Sequence, residues 1–343
     1  INPYLVDAPT VFLDKRRTPI CDAPEMAYGS KPTDGGNLLM DDAEKAALLL
    51  AEPQVGKWLH PFLGAEEFIN NISRWCLWLQ GIAPAELRAM PQVMKRVEAV
   101  KAMRLASSKA ATVELANTPT LFGEIRQTDQ PYLLIPSVSS ENRKFIPIGY
   151  MQPEVICGNA NFMLPNATLY HFGILNSTMH NAWMRTTCGR LKSDYRYSNT
   201  IVYNNFPWPQ LPSPAGGGRA GDEGLSTLAT SHQVPHPKSL SRERARDLIE
   251  AAAQGILEAR ALYPESSLAD LYDPTAMPPE LTKAHTALDK AVDAAYQYKA
   301  CPEPSRRGGK DDAARVAFLF ERYQQLTSLL PALTAKKPRK AKS

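Results

Sequence analysis

The chain has 343 residues, 44% of them hydrophobic and 22% charged, with a formal net charge of +4. These values are ordinary for a soluble globular protein long enough to hold two domains, each with a core of its own. No run of 18 or more apolar residues occurs, so no membrane span is expected.

The opening "INPYLVDAPT" carries neither a basic n-region nor an apolar h-region, and reads like the inside of a longer protein. Cysteines at 21, 76, 157, 188 and 301 are scattered, with no zinc-like spacing. They are expected to be free, mostly buried thiols in a reducing cytoplasm.

Residues 41–50 start acidic and continue with helix formers, which predicts a helix. The short runs "RWCLWL" (74–79) and "YLLIPSV" (132–138) predict strands, the second in a hairpin with "KFIPIGY" (144–150). Between them, residues 90–116 carry helical spacing and many basic side chains. A helix from Thr168 to about Cys188 places Leu169, Phe172, Leu175, Met179 and Trp183 on one apolar face, with Gly189 as its C-cap. Residues 211–240 are rich in Gly, Pro and Ser and read as a flexible linker or insertion. Three amphipathic helices follow within 241–330 and predict a small bundle. Their apolar faces are Leu248, Ile249, Ala252 and Ile256, then Leu281, Leu288, Val292 and Ala295, then Val316, Leu319, Phe320 and Tyr323. Residues 331–343 form a basic tail. The fold class expected is α+β: a mixed α/β domain over 1–210, then the all-α bundle.

The segment "NNFP", Asn204 to Pro207, is similar to the Asn-Pro-Pro-Phe/Tyr loop of enzymes that methylate exocyclic amino groups of DNA bases. It lacks the Pro-Pro pair, and no Gly-rich cofactor loop precedes it, so it is read as non-catalytic. Cys188 with His171 or His180 makes a poor nucleophile pair, and the two histidines make poor metal partners. They read as polar residues on a half-exposed helix. Electrostatics says more. Across 137–206, Arg143, Lys144, Arg185, Arg190, Lys192 and Arg196 outnumber Glu141, Glu154 and Asp194. They are interleaved with Tyr and Asn, which suits a surface that clamps phosphates and reads base edges.

The strings "PICDAPEMAYGSKPTDGGNLLM" (19–40), "FLGAEEFINNISRWCLWL" (62–79), "LLIPSVSSENRKFIPIGY" (133–150) and "CGRLKSDYRYSNTIVYNNFPWP" (188–209) resemble the C-terminal portion of MmeI-like type IIL restriction–modification enzymes. "SLADLYDPTAMPPELTKAHTALDKAVDAAY" (267–296) and "RVAFLFERYQQLT" (315–327) resemble the end of the same proteins. The resemblance implies a DNA target-recognition domain and a helical C-terminal domain, set after an adenine-N6 methyltransferase domain and often a nuclease. It implies double-stranded DNA and the polypeptide's own methyltransferase domain as partners. S-adenosylmethionine, and Mg2+ where a nuclease is attached, then belong to the parent protein, with no cofactor or metal held by this chain. It also implies base-reading positions at Lys192 and Asp194, at Ser137, and at Asn159 and Ala160 in the following strand. Arg143, Lys144, Arg190 and Arg196 are the expected phosphate contacts. Lys192 is suited to donate to guanine O6 and N7 while Asp194 accepts from cytosine N4. The plain alternative for that pair is a surface ion pair. The rival reading of the whole chain is a non-enzymatic docking domain of a multidomain protein.

Overall fold

The computed structural model describes residues 2–5, 7–8, 10–210, 241–299 and 309–329. The expected linker at 211–240, the tail at 331–343 and Cys301 lie outside the described residues.

An extended N-terminal segment leads to β1 (Ala27–Tyr28). A subunit of the fold then follows: β2 (Leu39–Met40), α1 (Asp42–Ala51), β3 (Leu59–Leu63), α2 (Ala65–Asn70), β4 (Trp75–Leu77), α3 (Pro84–Arg88), α4 (Pro91–Leu105) and α5 (Ala110–Glu114). The helix expected at 41–50 begins where the Asp41 side chain accepts from the Glu44 amide and Glu44 accepts from the Asp41 amide, a reciprocal cap. This part has its own core, with Leu38, Met40, Val55, Leu77, Val93 and Val100 fully buried.

Five strands come next: β5 (Tyr132–Pro136), β7 (Gly149–Met151) and β9 (Asn161–Pro165), which form the central sheet with β1, and between them β6 (Val138–Ser139) and β8 (Ile156–Cys157), of which β8 pairs with β3. β5 lies between β9 and β7, antiparallel to both, and all five of its residues are buried. Leu133 and Ile135 face one core while Tyr132 and Leu134 face another, so an unbroken apolar run is what this strand requires. The hairpin partner expected at 144–150 does pair with β5, but only from Gly149. Pro147 has no N–H to give a ladder, and Phe145, Ile146 and Ile148 turn into the core instead.

The helix expected from Thr168 to Cys188 is two helices, α6 (Leu169–Asn176) and α7 (Thr178–Thr187). Ser177 breaks it. Its hydroxyl donates to the Ile174 carbonyl at 2.6 Å and accepts from the His180 amide at 3.3 Å, offering the backbone a local alternative to the helix. Asp289, far along the chain, then holds the Thr178 amide at 2.7 Å and its hydroxyl at 2.5 Å. The expected apolar stripe is core on both halves, with Phe172, Leu175, Met179 and Trp183 fully buried. Gly189 is not the C-cap. Cys188 ends α7 in an extended conformation, and Gly189 opens β10 (Gly189–Leu191), which turns back as β11 (Asp194–Arg196).

The C-terminal part supplies α8 (Arg242–Ala261), α9 (Leu268–Leu271), α10 (Pro279–Tyr296) and α11 (Gly309–Leu329). The apolar faces expected on the last two helices are buried as expected. On α8 the face is rotated: Ala245, Ile249, Ala253, Ile256 and Ala259 are buried, while Leu248 is 45% exposed. The helices pack on one another, α8 chiefly on α10, and share their core with the preceding part of the chain. α8 lies on α6, where a Cβ on Gly173 would stand 2.8 Å from Ile249, and α11 packs against α7. One apolar core runs from Val11 through Trp183 and Phe206 to Phe320. An amphipathic helix must bury its stripe, but the stripe does not say against what.

Candidate nucleic-acid interface

Three segments converge on one edge of the molecule. β11 pairs antiparallel with β10 and with β6, giving a small sheet whose outer hairpin projects Leu191, Lys192 and Ser193 into solvent. Ser137 is the corner where the chain leaves the central sheet for this one. Its amide and hydroxyl donate to the Ala160 carbonyl at 3.0 and 2.6 Å, and its carbonyl accepts from the Tyr197 amide at 2.9 Å. Ser137, Ala160 and the hairpin are thereby joined by hydrogen bonds. Asn159 and Ala160 lie not in a strand but in the exposed turn before β9, closed by the Asn161 amide donating to the Gly158 carbonyl at 3.0 Å. Buried Asn161 anchors that turn by donating through Nδ2 to the Leu63 carbonyl at 2.9 Å.

At the hairpin tip the exposed Lys192 adopts a left-handed conformation, φ 55°. Its ammonium has no hydrogen bond or ion pair among the described residues. The surface ion pair weighed for Lys192 and Asp194 is therefore absent there. The half-buried Asp194 carboxylate instead accepts from the Glu141 amide at 3.3 Å. The backbone amide of Glu141 and the carbonyl of Ser193 are invisible in the sequence, because any residue supplies them.

The expected phosphate contacts divide. Arg196 and Lys144 are exposed, and Lys144 lies 5.1 Å from the centroid of the Phe145 ring. Arg143 is half-buried; burial lowers its guanidinium pKa, with Asp194 and Asp273 opposing. Arg190 is turned back over the hairpin, its carbon Cζ 4.0 Å from the Tyr195 ring centroid. Arg185, grouped with them on charge alone, is spent on the fold. Its Nε donates to Asp312 of α11 at 2.8 Å and its Nη1 to the Lys144 carbonyl at 2.7 Å.

The candidates set aside for catalysis are structural. His180 is buried, not half-exposed; its Nε2 meets the Tyr197 hydroxyl at 3.0 Å, and burial pushes its pKa down to about 3. Burial raises the Cys188 thiol. The "NNFP" segment is a clasp. Asn205 Nδ2 donates to the Asp14 and Ile201 carbonyls at 2.9 and 3.0 Å, and its Oδ1 accepts from Arg16 Nε at 2.8 Å. Asn204 Nδ2 donates to the Arg16 carbonyl at 2.9 Å, and Phe206 is fully buried. These amides bind the N-terminal segment to the core, and both are buried. Asn205→Ala is expected to cost about 2–3 kcal/mol by stranding buried partners, read as a shift in urea-unfolding midpoint. An unchanged midpoint with lost DNA binding would move the segment back to the ligand.

The family model for the MmeI target recognition domain matches residues 7–210, and that for the MmeI C-terminal domain matches 241–331. DNA methyltransferase A of Bacillus subtilis (strain 168) is 33% identical over 327 residues, covering 95% of this chain and 33% of that protein. The structure of the type IIL restriction-modification enzyme MmeI in complex with DNA is 47% identical, with a TM-score of 0.82 over 96% of this chain and 39% of that one. The chain thus spans between a third and two fifths of these relatives' lengths. With both family models matched in order along the described fold, the chain belongs to the MmeI family, spanning its target recognition and C-terminal domains.

Proposed function

We propose that this chain is the sequence-reading part of a site-specific adenine-N6 DNA methyltransferase, whose catalytic domain lies elsewhere in the same polypeptide and uses S-adenosylmethionine. The observation that carries the reading is the hairpin tip. An ammonium without a partner among the described residues and a carboxylate held by a backbone amide stand two residues apart, beside the corner that joins Ser137 to Ala160. Lys192 donates to guanine O6 and N7 in the major groove and Asp194 accepts from N4 of the paired cytosine. Ser137, Asn159 and Ala160 border the neighbouring base pairs. Lys144 and Arg196, with Arg143 behind them, fix the domain on phosphates without carrying sequence information. The chain's own work is positioning: it sets which adenine reaches the catalytic domain.

Binding to duplex DNA is expected to fall steeply with salt. Each neutralised phosphate contributes about 0.9 to the slope of log K against log salt, so three to four contacts give roughly a hundredfold loss over a fourfold rise in salt. Fluorescence anisotropy with a labelled duplex measures it. Binding indifferent to salt, or none, would support a protein-docking domain instead.

A further inference from the structure

We propose that Arg190 is a positioning residue. It braces the β10–β11 tip so that Lys192 and Asp194 meet one base pair in a single geometry, and it holds no phosphate. The inference rests on the reading that this hairpin faces DNA.

The geometry is specific. Arg190 stands opposite Tyr195 in the ladder, with its guanidinium carbon 4.0 Å from the centroid of that largely buried ring. Its Nη1 donates to the Ser193 carbonyl at 2.7 Å. Ser193 is the residue between Lys192 and Asp194, so this bond fixes the peptide that joins the two readers. The same Nη1 lies 4.0 Å from Glu141 Oε2, and the Glu141 amide holds the Asp194 carboxylate at 3.3 Å. One side chain therefore ties together a core-packed ring, the tip's backbone and the loop that anchors Asp194. Lys192 needs such a tie. A non-glycine residue keeps a φ of 55° only where its surroundings hold it there. A two-residue turn without glycine, projecting into solvent, has little else to hold it. A phosphate clamp would turn its fork outward; the Arg190 side chain is 46% exposed, but its guanidinium lies against the Tyr195 ring and one of its donors is held by the Ser193 carbonyl. Lysine would preserve the charge, but it has neither the flat face for Tyr195 nor the rigid fork.

The test uses the full-length polypeptide as wild type, Arg190→Lys, Arg190→Gln and Lys192→Ala. Base preferences are measured by selecting bound duplexes from a pool randomised across the footprint, and the salt slope of binding is measured on one selected duplex. Both Arg190 variants are expected to lose about tenfold in preference at the base pair that Lys192 reads. Preferences elsewhere and the salt slope should hold, since a general loss of folding would weaken every position together. The proposal is overturned if Arg190→Lys keeps the preference while Arg190→Gln lowers the slope by about 0.9, the signature of a phosphate contact. It is equally overturned if Lys192→Ala erases one position that both Arg190 variants retain. If Lys192→Ala changes no position, the base-reading role itself fails and the brace falls with it.

Discussion

Exchanging the two side chains at the hairpin tip, Lys192→Glu with Asp194→Arg, is expected to turn over the base pair that is read, placing C where G was preferred. The donor then becomes an acceptor at one position and the acceptor a donor at the other. Each contact is worth roughly 1–3 kcal/mol of discrimination, so the pair together should shift preference by two orders of magnitude or more. Neither new residue is β-branched, so the left-handed position at 192 tolerates glutamate as it does lysine. Either single change leaves two like charges facing one base pair and should weaken both orientations. Mapping methylated adenines genome-wide with the full-length protein checks this. An active double variant with an unchanged methylated motif removes the base-reading role from this pair.

The largest effect on stability is expected at Arg104, whose guanidinium is fully buried beneath α4. Nε donates to the Thr33 carbonyl at 2.9 Å, Nη1 to Leu115 at 2.9 Å and Thr118 at 3.0 Å, and Nη2 to Pro32 at 3.1 Å and Leu121 at 2.7 Å. One side chain thus pins two distant loops to a helix. Burial lowers its pKa while Asp34 opposes that shift, and the fivefold bonding keeps the charge tolerable. Arg104→Met fills similar space but strands five carbonyls. The expected loss is about 3–5 kcal/mol, seen as a lower thermal midpoint and an earlier urea transition. A change under about 1 kcal/mol would mean that water or a shifted loop satisfies those carbonyls.

Much of the fold is legible in the order of residues. Local patterns carry the capped helix at Asp41, the apolar run of β5, and the stripes on α10 and α11, because each depends on neighbours within a few residues. That "NNFP" departs from the methyltransferase loop also follows from the string, through the missing Pro-Pro pair. Its positive role does not: the partners of Asn205 are Asp14 and Arg16, and nothing in the string names them. The break at Ser177 is hidden because Asp289, more than a hundred residues away, completes it. Arg185 and Arg190 are equivalent positive charges on paper, and only the fold gives one to Asp312 and turns the other onto Tyr195. Element types, the α+β class and the family thus follow from the amino-acid order alone. Two things emerge only in the folded chain: the C-terminal helices complete the same core, and Ser137, Ala160 and the Lys192 hairpin share one edge. The physical reason is that secondary structure and motif chemistry are set by short-range spacing. Which face meets which, and which charge stays free for a partner, depend on contacts between residues far apart in the chain.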